Sequence, residues 1–346
     1  MSFNLNKIVR SSIKGLKPYS SARDEFTGKA DVYLDANENP FGNGLNRYPD
    51  PYQKALKKEI SKIKNIHEES IILGNGSDEV IDLLFRAFCE PGKDEVIIFP
   101  PTYGMYQVCA DVNNVKTKKV PLTSDFEVDE LSLLETIDEK SKIIWFCSPN
   151  NPTGNTMDPA VIKNILNCFE GIVVIDEAYI DFSDSQSWID FLEIHPNLFI
   201  IQTLSKAWGL AGIRLGMGFG SKEIISVLNK IKPPYNVNSL TQEKAIEAIG
   251  YLDEKNETID AILAEKAKLK EKLNQIDGVQ KIYQSDANFL LVKIDNATNI
   301  YNKLVEQSII VRNRSSVTLC ENCLRITVGK PVENEKLLNA IKEITR

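Results

Sequence analysis

The chain has 346 residues, of which 42% are hydrophobic and 26% are charged, values typical of a soluble globular protein long enough for two domains. Its formal net charge of −7 argues against a general affinity for nucleic acid. No apolar run approaches the ~20 residues of a membrane-spanning helix. We therefore expect neither a nucleic-acid partner nor a membrane.

The six cysteines are spread thinly along the chain, which favours reduced thiols over a disulfide framework. Cys320 and Cys323 have CxxC spacing, but the pair stands alone, and the only histidines, His67 and His195, lie far away in sequence. We therefore expect no metal site. The basic first 23 residues can mimic a transit peptide, but we interpret them as a solvated arm of a cytoplasmic protein.

From residue 61 onward, strand-like apolar runs alternate with segments of helical periodicity, a pattern typical of βαβ units and a largely parallel sheet. The runs predict strands at Glu95 to Phe99, Lys142 to Cys147, Gly171 to Ile175, Asn197 to Leu204 and Gly212 to Phe219. The periodicity predicts helices at Asp78 to Cys89 and Pro159 to Phe169. We expect a large α/β domain at residues 49–232.

Two consecutive prolines, Pro233 and Pro234, interrupt this pattern and predict a domain boundary. After them, Ser239 to Gln275 predicts one long amphipathic helix whose only internal break signal is Gly250. Shorter elements follow, with strands near Val279 to Tyr283, Phe289 to Lys293, Ile309 to Arg312 and Leu324 to Val328, and helices at Asn299 to Glu306 and Asn334 to Ile344. We expect a smaller α+β domain at residues 233–346, joined by an N-terminal arm at residues 1–48.

Two loop motifs at strand ends of the large domain offer hydrogen-bond donors. LGNGSDE, at residues 73–79, is a glycine turn that leads into a helix start, which is typical of an anion site, although any capped helix has a similar pattern. SPNNPTG, at residues 148–154, is a turn that permits a cis bond before Pro152. It can present the Asn151 amide to a ligand oxygen.

Two further motifs carry ionisable groups. In IDEAY, at residues 175–179, Asp176 lies at a strand end, where a carboxylate can pair with a protonated ring nitrogen, and Tyr179 follows one turn later. TLSKAWGLAGIRLG, at residues 203–216, can bring together Ser205, Lys206 and Arg214. A lysine has an ordinary pKa of ~10.4, and burial beside apolar side chains would increase its neutral, nucleophilic fraction.

Pyridoxal phosphate (PLP) is one ligand that would use all four motifs. It has an aldehyde for Lys206, a basic ring nitrogen for Asp176 and a phenolic oxygen for Tyr179 and Asn151. Its phosphate would suit the donors of the remaining positions, which are Gly76, Ser77, Ser205 and Arg214.

Further motifs extend this pattern over nearly the whole chain. They are KPYSSAR at residues 17–23, LDANENPFG at 34–42, RYPDP at 47–51, FCEPGKDEV at 88–96, PPTYGMY at 100–106 and LRITVG at 324–329. In this order they resemble the fold type I aminotransferases, and among them those that act on histidinol phosphate. The resemblance implies a mostly parallel mixed sheet sandwiched by helices, a smaller α+β domain and PLP as cofactor.

The resemblance also implies a role for each matching residue. Lys206 would form the Schiff base, Asp176 would pair with the ring nitrogen, and Tyr179 and Asn151 would bind the ring hydroxyl. Tyr103 would stack on the ring, and the phosphate would be bound by Gly76, Ser77, Asp78, Ser205, Arg214 and, from the other subunit of a homodimer, Tyr48. Arg325, Arg312 and Tyr19 would bind the substrates, L-histidinol phosphate and glutamate or 2-oxoglutarate, in histidine biosynthesis.

Three other functions remain open at this point. Two of them, an aromatic amino acid aminotransferase and a threonine-phosphate decarboxylase, share the resemblance and differ in substrate or in the bond that is broken. The third is a PLP-binding regulator, but such proteins carry a nucleic-acid module, and this chain has no basic helix-turn-helix pattern.

Overall fold

The computed structural model describes residues 3–20, 26, 30–42 and 44–345, so Ser21 to Arg23 of the KPYSSAR motif lie outside it. The helices in this part of the chain are α1 (Leu5–Ile8), α2 (Ser11–Lys14), α3 (Lys54–Lys64), α4 (Ser77–Phe88), α5 (Met105–Val112), α6 (Glu130–Thr136), α7 (Pro159–Cys168), α8 (Lys222–Ile231), α9 (Ser239–Ile249), α10 (Leu252–Leu273), α11 (Ala297–Glu306) and α12 (Pro331–Thr345). Within the described residues, no helix combines the length and apolar character that a membrane span needs.

The strands form two separate sheets. They are β1 (Ile71–Asn75), β2 (Glu95–Ile98), β3 (Lys116–Lys119), β4 (Ser141–Cys147), β5 (Ile172–Asp176), β6 (Leu198–Thr203), β7 (Leu215–Gly220), β8 (Val279–Ile282), β9 (Phe289–Ile294), β10 (Arg312–Asn313) and β11 (Cys323–Thr327). The large sheet has seven strands in the order β1-β7-β6-β5-β4-β2-β3, and β7 alone runs in the direction opposite to the other six. The predicted mostly parallel mixed sheet is thereby confirmed.

Both faces of the large sheet are covered by helices, because its central strands are apolar on both sides. Along β4, Ile144 and Phe146 belong to one core cluster, while Ile143 and Trp145 belong to the cluster on the opposite face. Helices α3, α6, α7 and α9 contribute to the first cluster, and α4, α5 and α8 contribute to the second. This arrangement confirms the predicted sandwich of helices around the sheet.

The small sheet has four antiparallel strands in the order β10-β11-β9-β8. Its core cluster combines β9 and β11 with α11, α12 and the end of α10. The predicted smaller α+β unit is therefore present. A separate small cluster, which includes Tyr179, Ala207 and Phe289, joins the small sheet to the loops that follow β5 and β6.

The helix predicted over Ser239 to Gln275 is two helices, α9 and α10, which are separated by Gly250 and Tyr251. The break has a packing reason. Ala245 and Ile249 of α9 lie in the core of the large sheet, whereas Leu269 and Leu273 of α10 lie in the core of the small sheet. One straight helix could not serve both cores.

The division of the chain at residues 48 and 232 stays a prediction, and two packing observations favour moving its limits. Since α9 packs on the large sheet, we propose that the second boundary lies near Gly250 rather than at Pro233. At the N-terminus, Ile8 and Val9 pack into the core of the large sheet, and the Arg10 N–H donates to the Ala87 oxygen at 3.0 Å. This part of the arm therefore does not join the small sheet.

Gly216 of β7 lies directly against the start of α4, and we predict that this close approach tolerates no side chain. A Cβ at Gly216 would collide with the backbone of Gly76 and Ser77, which would force the strand and the helix apart. Gly216→Ala should therefore lower the free energy of unfolding by about 1–3 kcal/mol, as overpacking does. Urea-induced unfolding measures this change.

The matched control is Gly212→Ala, because a Cβ at Gly212 would meet no atom within 4 Å. It should change the unfolding free energy by less than about 0.5 kcal/mol. Equal unfolding midpoints for the two variants would contradict the close approach.

Candidate active site

A cavity of about 780 Å³ lies between the carboxyl ends of β4, β5 and β6 and the small sheet. Parallel strands place their carboxyl ends at one edge, and α/β proteins bind ligands there. Most of the residues that the sequence motifs predict for a site line this cavity, namely Ser77, Asp78, Tyr103, Asn151, Asp176, Tyr179, Ser205, Lys206, Arg214, Arg312 and Arg325. The structure therefore brings motifs from seven parts of the sequence into one place.

Asp176 is the last residue of β5, and its carboxylate is almost completely buried. The Tyr106 hydroxyl donates to one carboxylate oxygen at 2.7 Å, and the Ala178 N–H donates to the other at 3.0 Å. Burial raises the pKa of Asp176, while the hydrogen bond from Tyr106 acts in the opposite direction. A nearby protonated ring nitrogen would favour the ionised carboxylate further.

Lys206 follows β6 in a tight loop in which the Ser205 N–H donates to the Thr203 hydroxyl at 3.1 Å and the Gly209 N–H donates to the Lys206 oxygen at 3.0 Å. Its side chain is partly buried, and its Nζ lies 5.6 Å from the centre of the Tyr179 ring. Burial is the main cause of a lowered Lys206 pKa, and the positive charge of Arg325 adds to it. A larger neutral fraction makes the amine a better nucleophile and base.

Gly76 and Arg214 form a cradle at the start of α4. Gly76 has a φ of +75°, its N–H donates to the Arg214 oxygen at 2.8 Å, and a Cβ on it would lie 2.5 Å from Arg214 Nη2. Only glycine suits both the backbone angle and this proximity. The arrangement leaves the N-terminus of α4 and the guanidinium side by side, which is suited to an anion such as a phosphate.

Asp78 and Tyr103 border this cradle. The Tyr103 hydroxyl donates to an Asp78 oxygen at 3.0 Å, and Arg214 Nη2 lies 3.7 Å from the other oxygen of the same carboxylate. The three side chains therefore hold one another at the cavity wall. Tyr103 also packs edge-on against Tyr106, with ring centres 5.6 Å apart, which links this wall to Asp176.

Arg325 reaches the cavity from β11 of the small sheet. Its Nη1 donates to the Asn151 Oδ1 atom, and its guanidinium carbon lies 5.3 Å from the centre of the Phe289 ring. Because the Asn151 oxygen accepts this bond, its amide nitrogen remains a donor for a ligand oxygen. The Asn151–Pro152 bond is cis, as the turn motif permits.

Three predicted residues do not line the cavity. Gly76 lies just outside it, in the backbone of the cradle. Tyr19 is 66% exposed, and Tyr48 is 50% exposed and stacks on Tyr235 with ring centres 4.4 Å apart. In the single chain described by the structure, the two tyrosines are therefore not part of the site.

The sequence motifs missed two residues that the structure places in or beside the site. Tyr106 is buried and donates to Asp176 across 70 positions of sequence, a pairing that no local pattern indicates. Arg314 lines the cavity together with Arg312. The sequence does contain a signal for Arg314. It follows Arg312 by two positions, and residues two apart in an extended segment share one face.

The cavity as a whole has an excess of positive charge. Among the described residues, the cavity is lined by Lys206 and four arginines, Arg214, Arg312, Arg314 and Arg325, and by only two carboxylates, those of Asp78 and Asp176. This arrangement can bind an anionic ligand at two ends, at the cradle and at the small sheet. Between the two ends, Lys206 can act as a nucleophile or base.

Comparisons with known proteins agree with this chemistry. The sequence pattern of the family "Aminotransferase class I and II" matches residues 29–341. A "Histidinol-phosphate aminotransferase" of Christiangramia forsetii is 55% identical over 344 residues, which cover 99% of this chain and 98% of that protein.

Solved structures extend the similarity to the fold. The histidinol-phosphate aminotransferase from Clostridium acetobutylicum has a TM-score of 0.81 at 25% identity, over 90% of this chain and 98% of its own. The enzyme from Sinorhizobium meliloti, solved in complex with pyridoxal-5'-phosphate, has a TM-score of 0.81 at 22% identity over 90% of this chain and 89% of its own, a likeness of fold. Because the family pattern matches residues 29–341 and a relative is 55% identical over nearly the whole chain, this chain belongs to the class I and II aminotransferases.

Proposed function

We propose that this chain is a PLP-dependent aminotransferase that moves an amino group between L-histidinol phosphate and 2-oxoglutarate in histidine biosynthesis. The observation that carries the proposal is the cavity, in which a partly buried lysine and a buried carboxylate lie among an excess of guanidinium groups. The 55% identity to a histidinol-phosphate aminotransferase over nearly the whole chain supports the same activity.

The residues of the cavity fit the cofactor. The cradle at Gly76, whose positive φ favours glycine, provides donors for a phosphate together with the start of α4 and Arg214. Asp176 provides a buried negative charge for a ring nitrogen, and Lys206 an amine for an aldehyde. When bound, PLP supplies an electron-accepting ring that stabilises negative charge on the substrate carbon.

In this proposal, each residue of the chain has a separate task. Asp176 remains ionised and keeps the neighbouring ring nitrogen protonated, while Tyr179 and Asn151 orient the ring hydroxyl. Lys206, once its amine is free, would remove a proton from the substrate carbon and deliver it to the former aldehyde carbon of the cofactor, a role that contributes about 100-fold to 10,000-fold in rate. Its lowered pKa favours the neutral amine that this step requires.

The substrates differ in charge, and the arginines of the small sheet suit both. Histidinol phosphate has a phosphate dianion, whereas glutamate and 2-oxoglutarate have carboxylates. Arg325 and Arg312 can bind either group through charge-assisted hydrogen bonds. We propose that Tyr19 assists at the phosphate.

We also propose that the enzyme is a homodimer and that Tyr48 binds the cofactor phosphate of the other subunit. Large apolar side chains in the same N-terminal segment are exposed, with Val32 at 72%, Leu34 at 89% and Phe41 at 88%. Large exposed apolar side chains of this kind would be buried if another chain covered the segment. A cytoplasmic location is part of the proposal, because all six cysteines are free, as in a reducing compartment.

The substrate is tested by steady-state kinetics with L-histidinol phosphate, phenylalanine and threonine phosphate. We expect kcat/KM for histidinol phosphate to exceed that for phenylalanine by at least about tenfold, because phenylalanine lacks the phosphate and one charge-assisted hydrogen bond contributes ~1.5–3 kcal/mol. A preference for phenylalanine would indicate an aromatic aminotransferase. Release of carbon dioxide from threonine phosphate would indicate a decarboxylase, and either result contradicts the proposed substrate.

Tyr106→Phe should move the acidic limb of the pH profile of kcat/KM to higher pH. The hydrogen bond from Tyr106 lowers the pKa of Asp176, so its removal raises that pKa. Asp176 would then become protonated, and activity would be lost, at a higher pH than in the wild type. Tyr301→Phe, on α11 in the core of the small sheet, is the matched control and should leave the profile unchanged. Superimposable profiles for Tyr106→Phe and the wild type would contradict the role of this hydrogen bond.

Mixed dimers test the position of Tyr48. We combine Lys206→Ala subunits with Tyr48→Phe subunits, each of which should be impaired as a homodimer. If Tyr48 acts across the interface, one site of the mixed dimer has both wild-type residues, and the dimer should recover about half of the wild-type activity by symmetry. If the mixed dimer keeps only the activity expected of an impaired Tyr48→Phe site, Tyr48 acts within its own subunit.

A further inference from the structure

Three guanidinium groups share one face of the small sheet. In the register of β10 and β11, Arg312 lies directly opposite Arg325. One step further, the Arg314 N–H donates to the Cys323 oxygen at 2.8 Å, which continues the pairing beyond β10. Because alternate residues of a strand share a face, Arg314 lies on the same side as Arg312, and all three side chains line the cavity.

The proximity of three positive charges is electrostatically unfavourable unless an anion binds among them. Like charges in directly opposite positions of a sheet destabilise it, and each of these groups is close to the other two. Burial is the main cause of a lowered pKa at both Arg314 and Arg325; the charges of Arg325 and Arg312 add to it at Arg314, and that of Arg312 adds to it at Arg325. Within the described residues, the arginines that form ion pairs with carboxylates are others, namely Arg10, Arg47, Arg86 and Arg214.

Arg314 differs from Arg325 in what contacts its side chain. Arg325 is bound to Asn151 and packs over Phe289. The Nε atoms of both arginines are shielded from solvent without an acceptor, but the Arg314 side chain has no hydrogen-bond acceptor at all among the described residues. A buried donor without an acceptor is rare in native proteins and calls for a ligand or another explanation.

We propose that Arg314 is a specificity-determining residue that binds the phosphate of the substrate together with Arg312 and Arg325. The inference rests on the proposed function, because it assigns the phosphate of histidinol phosphate to this end of the cavity. A dianion has twice the charge of a carboxylate, so a third guanidinium stabilises it more strongly. A phosphate also has three terminal oxygens, enough to accept hydrogen bonds from several guanidinium groups.

Binding of glutamate depends less on the Arg314 guanidinium. Each of its carboxylates has a single negative charge and two oxygens, which Arg325 and Arg312 can serve. Arg314 should therefore favour the phosphorylated substrate over the amino acid, rather than raise the affinity for both. A purely structural role, such as support for Arg325, would affect both substrates alike.

The experiment compares the holoenzyme with Arg314→Gln and Arg314→Lys. Arg86→Gln is the matched control, because Arg86 is an exposed arginine on α4 outside the cavity. For each protein, kcat and KM are measured with histidinol phosphate and with glutamate. Inhibition constants are measured for inorganic phosphate and for succinate, a dicarboxylate that lacks the amino group.

Arg314→Gln should lower kcat/KM for histidinol phosphate by about 10-fold to 100-fold, mainly through KM, and that for glutamate by about threefold or less. Arg314→Lys should be intermediate, since it retains the charge but not the planar pair of donors. Inhibition by phosphate should weaken more than inhibition by succinate. The Arg86→Gln control should match the wild type.

Equal losses for both substrates, or no loss for either, would overturn the assignment. If Arg314→Gln does not fold, Arg314→Lys tests the same ratio. If the wild-type enzyme does not accept histidinol phosphate, the proposed function fails by itself, and the ratio of phosphate to succinate inhibition still decides the role of Arg314.

Discussion

The buried carboxylate of Asp176 is the constraint on which the rest of the site depends. A charge at the end of a central strand is unfavourable in a core unless donors or an opposite charge face it. Tyr106 from α5 and the backbone of Ala178 provide two donors. The proposed ring nitrogen would provide the charge, so that the cofactor would complete the electrostatics of the fold.

The other charged groups of the site are contributed by the two sheets, which meet at the cavity. The large sheet contributes the lysine and the phosphate cradle, where β7 passes so close to the start of α4 that Gly216 has no room for a side chain, and where the Arg214 guanidinium lies against Gly76. The small sheet contributes three arginines on one face. The proposed cofactor would thus be held by the large sheet and the proposed substrate by the small sheet. The small cluster around Tyr179 and Phe289 packs these two parts of the structure together.

The like charges gathered in this site oppose folding. Arg312 opposite Arg325 and a partly buried Lys206 each reduce stability, and the many fully buried side chains of the central strands compensate for them. The same unfavourable charges are useful in catalysis. Burial, with the charge of Arg325, lowers the pKa of Lys206, and the arginines attract anions.

Local sequence determined most of the large sheet and the chemistry at its edge. Apolar runs followed by glycine, proline or charged residues predicted β2, β4, β5 and β6, and they placed Asp176 and Lys206 at strand ends. These features are local, since a strand needs only a few apolar residues and a turn needs only particular residue types. The resemblance to a family added the residues of the small sheet, such as Arg325.

Only the tertiary structure decided what depends on contacts between distant residues. The hydrogen bond from Tyr106 to Asp176, the break between α9 and α10, and the packing of Ile8 on the large sheet all join parts of the chain that are far apart in sequence. The placement of Arg314 on the same face as Arg325 likewise required the strand register. Sequence patterns describe which face a residue occupies, but the partner across that face is selected by the fold.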